Sequence, residues 1–218
     1  CRERLPSRTM SAPLVEELVP VPDPVACCAS FRGLPYLLFL DSARDPDRLG
    51  RYSFLTADPQ IVIRGKGDRV TRTDVATGRT TPLATHALAA LRDALAPHRA
   101  EAIDGLPPFQ GGAAGYLAYD WGAVLERLPT PRYDDLAIPD VVLPIYDWVI
   151  AWDHNENRAW VISTGLPATG AEKSQYSHDR LRFVLDRLCG DYLSTEVSRA
   201  SPRRPFAACL CVLTLAFP

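Results

Sequence analysis

Ile145 to Asp153 reads IYDWVIAWD, and Arg158 to Thr164 reads RAWVIST. The first run alternates, and both are rich in aromatic and β-branched side chains. That is the pattern of a pleated strand packed against a core. His154-Asn155-Glu156-Asn157 between them has the polar composition of a turn. The two runs therefore form an antiparallel hairpin.

The chain upstream reads as further strands. Pro35 to Asp41 (PYLLFLD) is apolar and too short for a helix, so it is a buried strand. A polar loop, Ser42 to Gly50, separates it from two more strands, Arg51 to Thr56 (RYSFLT) and Gln60 to Arg64 (QIVIR). Gly65-Lys66-Gly67-Asp68 turns the chain into Arg69 to Asp74 (RVTRTD), and Gly78 turns it again. Residues 35–82 are thus expected to form an antiparallel meander.

Helical spacing appears twice. Leu83, Leu88, Leu91 and Leu95, with Ala84, Ala87, Ala90 and Ala94, predict a helix of about 12 residues ended by Pro97. Leu181, Val184, Leu185 and Leu188 predict an amphipathic helix over 171–189. Gln110 to Asp120 (QGGAAGYLAYD) has the glycines of a strand with a bulge or a close backbone approach. Trp121 to Leu128 has room for one or two helical turns. Pro129 to Pro144, with its prolines and acids, is expected to be a long irregular crossing. The fold class is α+β: a largely antiparallel β-sheet or sandwich flanked by helices.

Composition excludes several functions. The 218 residues are 47% hydrophobic and 23% charged, ordinary for a globular protein. A net charge of −2 provides no basic field for a nucleic acid. No apolar run reaches the roughly 20 residues of a bilayer span. A cytoplasmic protein without nucleic-acid or membrane partners is expected. Of the 24 basic residues only Lys66 and Lys173 are lysine, a bias with no physical explanation here. The six cysteines show no C-x-x-C pair and no Cys/His zinc spacing, so they read as reduced thiols.

Both ends differ from the middle. Met10 reads as the natural start and residues 1–9, which lack the apolar core of a secretory signal, as upstream sequence read in frame, so that 1–11 stand apart from the domain as a non-native or disordered leader. Residues 12–190 form the domain, and 191–218 a linker and tail. Phe206 to Phe217 (FAACLCVLTLAF) either docks as a last core element or is not native sequence, and the second reading is favoured.

Motifs of chemistry are sparse. Gln110 to Gly115 lacks the Lys-Ser/Thr of a phosphate loop and the G-x-G-x-x-G spacing of a dinucleotide fold. His86, His98, His154 and His178 read as surface or capping residues. No G-x-S-x-G elbow is present. Asp147 stands inside a strand and needs a hydrogen-bond partner.

Three segments carry a resemblance. LPYLLFLDSA (34–43) with GRYSFLTADP (50–59), then PFQGGAAGYLAYDWG (108–122), then PDVVLPIYDWVIAWDH (139–154) resemble the N-terminal half of aminodeoxychorismate synthase component I, in order and in separation. The sister family, anthranilate synthase component I, shares the first two in looser form. The Y-D-W string and Glu126-Arg127-Leu128-Pro129 favour the aminodeoxychorismate branch. The resemblance covers about residues 12–190.

It implies an incomplete half of the chorismate-utilising synthase fold, the C-terminal chorismate-binding domain being absent from this chain. The implied full-length activity makes 4-amino-4-deoxychorismate from chorismate, on the route to p-aminobenzoate and folate. Mg²⁺ and the catalytic lysine belong to the C-terminal half, and a glutamine amidotransferase supplies ammonia. No catalytic residue and no metal site is carried over, so the chain is not expected to be catalytic alone. The resemblance also implies a tryptophan pocket, onto which Leu40, Ser42, Arg51, Tyr52 and Ser53 map. Asp41 replaces the Glu or His common before the serine. The same residues could instead only pack the sheet. Three roles stand open: part of a chorismate-using enzyme, a stand-alone tryptophan-binding module, or a protein that docks the amidotransferase. The halves of the family interleave their sheets, so the isolated chain is expected to be poorly soluble or molten.

Overall fold

A computed structural model describes residues 12–42, 50–98, 102–124, 126 and 134–192. The expected leader, the tail from residue 193 and most of the 42–50 loop lie outside the described residues, as do 127–133.

Among the described residues, eleven strands form two antiparallel sheets. The first joins β1 (Leu14–Glu17), β2 (Leu38–Leu40), β3 (Tyr52–Thr56), β10 (Trp148–Asp153) and β11 (Arg158–Ser163), in the order β1-β11-β10-β3-β2. The second joins β4 (Ile61–Lys66), β5 (Arg69–Asp74), β6 (Thr80–Leu83), β7 (Gly112–Ala113), β8 (Tyr116–Leu117) and β9 (Val141–Tyr146). Its order is β6-β5-β4-β9-β7, with β8 also on β9. The described residues also form α1 (Pro24–Ser30), α2 (Ala87–Leu95) and α3 (Glu172–Tyr192). The α+β class and the 154–157 hairpin are as expected, with Trp148 opposite Ser163 and Asp153 opposite Arg158.

The sheets are joined where the chain changes from one to the other. Residues 35–82 do not make one meander. β2 and β3 lie in the first sheet, whereas β4, β5 and β6 lie in the second. The change falls at Asp58-Pro59, where Asp58 has a positive φ of 53°. Ile145 to Asp153 is likewise not one strand. It breaks at Asp147, leaving β9 in the second sheet and β10 in the first. A continuous aromatic run conceals the break, because both halves keep extended backbone and buried side chains.

The 129–144 segment is not irregular to its end, since Val141 to Pro144 belong to β9. The strand tolerates Pro144 for a reason. The Gln60 amide donates to the Ile145 carbonyl on the β4 side, while the Pro144 carbonyl accepts from the Ala114 amide on the other side. The missing N–H therefore faces the gap between β7 and β8. Gly115 crosses that gap so closely that a Cβ would stand 2.0 Å from the Val142 carbonyl oxygen.

The α2 helix starts later than its leucine spacing predicts. Leu83 ends β6, His86 caps the helix by accepting the Ala89 amide at 3.2 Å, and Pro97 falls in a 3-10 turn. The α3 helix matches its prediction. Asp23 caps α1, accepting the Ala26 amide at 2.8 Å.

Three clusters form the core. On one face of the first sheet, Leu55, Trp148, Ile150, Trp152 and Val161 meet Cys27 and Phe31 of the α1 region and Val184 of α3. On its other face, Val149, Ala151, Trp160 and Ile162 pack with Tyr146, Phe109 and Ala114. Ile61, Ile63, Val70, Leu143 and Ile145 of the second sheet are covered by Ala87 and Leu91 of α2 and by Trp121. Both central strands β10 and β11 are covered on two faces, which explains their unbroken apolar character. Among the described residues no helix is long and apolar enough to cross a membrane.

Candidate functional site

The Tyr146-Asp147-Trp148 string occupies the crossing between the sheets, and each residue has its own partner. The Tyr146 hydroxyl donates to the Tyr36 carbonyl at 2.8 Å. Trp148 packs on Phe31, ring centres 5.1 Å apart. Asp147, fully buried, takes Arg180 Nε at 2.6 Å and Nη2 at 3.2 Å. The same guanidinium reaches the other crossing, donating to the Asp58 carboxylate at 2.9 Å and its carbonyl at 3.2 Å. One arginine of α3 thus clamps both points at which, among the described residues, the chain changes sheet. Burial pushes the Asp147 carboxyl above its ordinary range, with Arg180 pulling against it.

The residues expected at a ligand site lie at one end of the first sheet. Leu40 pairs with Phe54 across β2 and β3. Tyr52, two residues before Phe54, shares that face by strand alternation. Phe54 meets Tyr52 at 6.2 Å and Phe109 edge-on at 5.7 Å, so Leu40, Tyr52, Phe54 and Phe109 form an aromatic and apolar surface. Gln110 locks Phe109 in place, because its amide bonds the backbone of Ile103, at 2.9 Å from both groups, and the Pro107 carbonyl.

Ser53 lies opposite Trp152, on the other face. Its hydroxyl is fully buried and donates to Asp41 Oδ1 at 3.1 Å. It lies 2.8 Å from His154 Nε2 and 3.4 Å from the Ser42 amide. Arg51 is half exposed and held by Asp153, with Nη2 to Oδ2 at 2.8 Å, while its guanidinium lies over the Tyr52 ring at 5.0 Å. Asp153 also accepts the Asn155 and Glu156 amides of the hairpin turn. Burial pushes Asp153 up, yet the Arg51 bonds and the turn amides outweigh it and hold the carboxyl below the usual range.

The structure therefore gathers Ser42, Arg51 and Ser53 into a polar cluster with Asp41, Asp153 and His154, and places Leu40 and Tyr52 on the aromatic surface across the sheet from Ser53. The sequence reading had missed Phe54, Phe109 and His154. His154 is half-buried and bonded to Ser53, so it is neither a surface residue nor a cap. Its position next to Asp153 in the turn was the available signal. Among the described residues no group of His, Cys, Asp and Glu is arranged to hold a metal ion.

No family model matches the chain. Curated relatives do. Aminodeoxychorismate synthase component 1 of Salmonella typhimurium is 34% identical over 134 residues, covering 60% of this chain and 28% of the relative. Anthranilate synthase component 1 of Mycolicibacterium smegmatis is 30% identical over 175 residues, covering 78% of this chain and 33% of the relative. The aminodeoxychorismate synthase component 1 of Bacillus subtilis is 31% identical over 131 residues, 58% of this chain and 26% of the relative. The matched region thus spans 26–33% of these relatives' length. The solved anthranilate synthase component I of Streptococcus pneumoniae shares the fold, with a TM-score of 0.50 at 20% identity over 82% of this chain and 36% of that one.

Proposed function

Starting from the homology of this chain to the component I chains of aminodeoxychorismate and anthranilate synthases, we propose that it is the N-terminal portion of an aminodeoxychorismate synthase component I. In this reading the complete enzyme aminates chorismate to 4-amino-4-deoxychorismate in the cytoplasm, on the way to p-aminobenzoate and folate. Mg²⁺ and chorismate are held by a C-terminal portion, and a glutamine amidotransferase delivers the ammonia. The residues described here supply scaffold and a ligand site, and the chain alone turns over no chorismate.

The observation that carries the reading is the match to the Salmonella aminodeoxychorismate synthase component 1. The structural duties of the shared strings support it. Phe109-Gln110 builds the aromatic surface, Gly115 makes the close crossing, and Tyr146-Asp147-Trp148 joins the sheets. Leu40, Ser42, Arg51, Tyr52 and Ser53 are this chain's share of a tryptophan-like site. An indole can stack on Tyr52 and Leu40, and Asp41 and Ser42, exposed where the edge strand β2 ends, suit an ammonium.

The anthranilate reading has its own observation, since the Mycolicibacterium relative matches more of the chain. Disrupting the gene in its host separates the two. Growth restored by p-aminobenzoate supports the first reading, and growth restored only by tryptophan replaces it with the second. Growth without either supplement overturns both.

A further inference from the structure

The Ser53 hydroxyl has one proton and two lone pairs. Asp41 Oδ1 takes the proton at 3.1 Å, which leaves both lone pairs for donors. The Ser42 amide approaches at 3.4 Å and His154 Nε2 at 2.8 Å. For this arrangement to close, His154 must carry its proton on Nε2. Three segments that are remote in sequence then meet on one buried oxygen: the end of β2, the start of β3 and the β10–β11 turn. The turn is itself tied to β3, because the His154 amide donates to the Arg51 carbonyl at 2.8 Å and Asp153 holds the Arg51 side chain.

This geometry gives His154 leverage on the residues after β2. Asp41 and Ser42 are exposed beyond a strand of three residues at the sheet edge. A three-residue edge strand is a weak anchor. The bonds that hold Asp41 and the Ser42 amide on Ser53 lie beyond the β2–β3 ladder, and His154 orients the hydroxyl that makes them. We infer that His154 is a positioning residue of the amino-acid site proposed above, acting through Ser53 to hold Asp41 and Ser42 where a ligand ammonium meets them. The inference rests on that site. His154 itself touches no ligand. Its Nε2 is committed to Ser53, and its role is to orient rather than to bind.

The test uses the full chain and L-tryptophan as the probe, with affinity read by calorimetry and melting temperature read without ligand. His154→Phe keeps a ring of similar size and removes the N–H. His154→Gln returns an N–H donor at nearly the Nε2 position. We expect His154→Phe to weaken tryptophan at least tenfold and His154→Gln to stay within threefold of the unaltered chain. Val184→Ala, in the core under α3, is expected to lower the melting temperature without changing the affinity. If His154→Phe binds as the unaltered chain does, the inference falls and the site stands. If His154→Gln is as weak as His154→Phe, the donor is not what matters and the inference falls too. If the unaltered chain binds no tryptophan, the site reading falls and takes the inference with it. Should His154→Phe not fold, the ¹⁵N resonances of His154 in the unaltered chain decide. A shift of Nε2 on adding tryptophan supports the inference, and an unmoved signal overturns it.

Discussion

Replacing Arg180 by methionine tests the clamp on the two sheet crossings. Methionine keeps much of the aliphatic stem and removes four hydrogen bonds, two to Asp147 and two to Asp58. The burden falls on Asp147, which is fully buried. Removing the partner of a buried charge costs about 3–5 kcal/mol. Asp147 has an escape, because it can take up a proton. From an ordinary carboxyl pKa near 3.9, protonation at pH 7 costs about 4 kcal/mol, a ceiling on its share. Burial already raises the carboxyl in the unaltered protein, so part of that cost is present before the substitution. Adding the lost Asp58 bonds, the expected loss is about 2–3 kcal/mol at pH 7.

The sign of the pH dependence follows. A carboxyl raised by folding binds its proton more tightly in the native state, so its contribution to stability falls as pH rises from about 4 through the raised pKa. Arg180→Met steepens that fall. Urea unfolding at pH 4.5 and 7.5 therefore shows a larger deficit at the higher pH. Adding Asp147→Asn to Arg180→Met removes the stranded charge and recovers about 1–2 kcal/mol at pH 7.5. A deficit below about 0.5 kcal/mol at pH 7.5, the scale of an ordinary surface substitution, refutes the clamp. So does a deficit equal at the two pH values.

Three further outcomes follow from the same structure. Gly115→Ala drives a Cβ against the Val142 carbonyl, where no flexible side chain can give way, and is expected to cost about 3 kcal/mol or more in urea unfolding. Asp153, held low by Arg51 and the turn amides, adds stability above its unfolded pKa that is lost as pH falls through the lower folded one. Arg51→Met should therefore raise the Asp153 carboxyl pKa, read by ¹³C shift, and weaken the protein at pH 6 but not at pH 2. Pro82 points its missing N–H outward from the edge strand β6, since the Arg79 and Thr81 backbones face β5. Pro82→Thr restores that donor and should increase self-association seen by light scattering, whereas unchanged scattering would mean that the edge is guarded by something else.

Much of this fold is legible in the sequence because local pattern and tertiary role agree. RVTRTD spans β5 from end to end, and the HNEN turn sits between β10 and β11. The exceptions have one cause: which sheet a strand joins is a long-range matter. IYDWVIAWD stays extended and buried on both sides of the Asp147 break, so periodicity passes over it. The break is marked only by a carboxylate in an apolar run, and its partner Arg180 lies 33 residues away. Leu83 continues the leucine spacing of α2 while belonging to β6, and spacing cannot separate a strand's last residue from a helix's first turn. Pro144 looked like an end of structure because the gap that shelters its nitrogen is made by Ala114 and Gly115.

The candidate site was legible only as a set of residues. Leu40, Ser42, Arg51, Tyr52 and Ser53 came from their place in a family motif, and their mutual arrangement did not. Strand alternation puts Ser53 and Tyr52 on opposite faces. His154 lies 101 residues from Ser53 and reaches it through the hairpin register. Phe109 reaches Phe54 from the loop before β7. Nothing in the local spacing of either residue announces those contacts.

The central claim is tested most directly by the product that the gene confers. Chorismate, ammonia and Mg²⁺ are supplied to extracts of the host with the gene intact and with it disrupted, and the products are separated by chromatography. The account predicts that disruption abolishes 4-amino-4-deoxychorismate formation and leaves anthranilate formation unchanged. Undiminished 4-amino-4-deoxychorismate after disruption, or a selective loss of anthranilate, would contradict it.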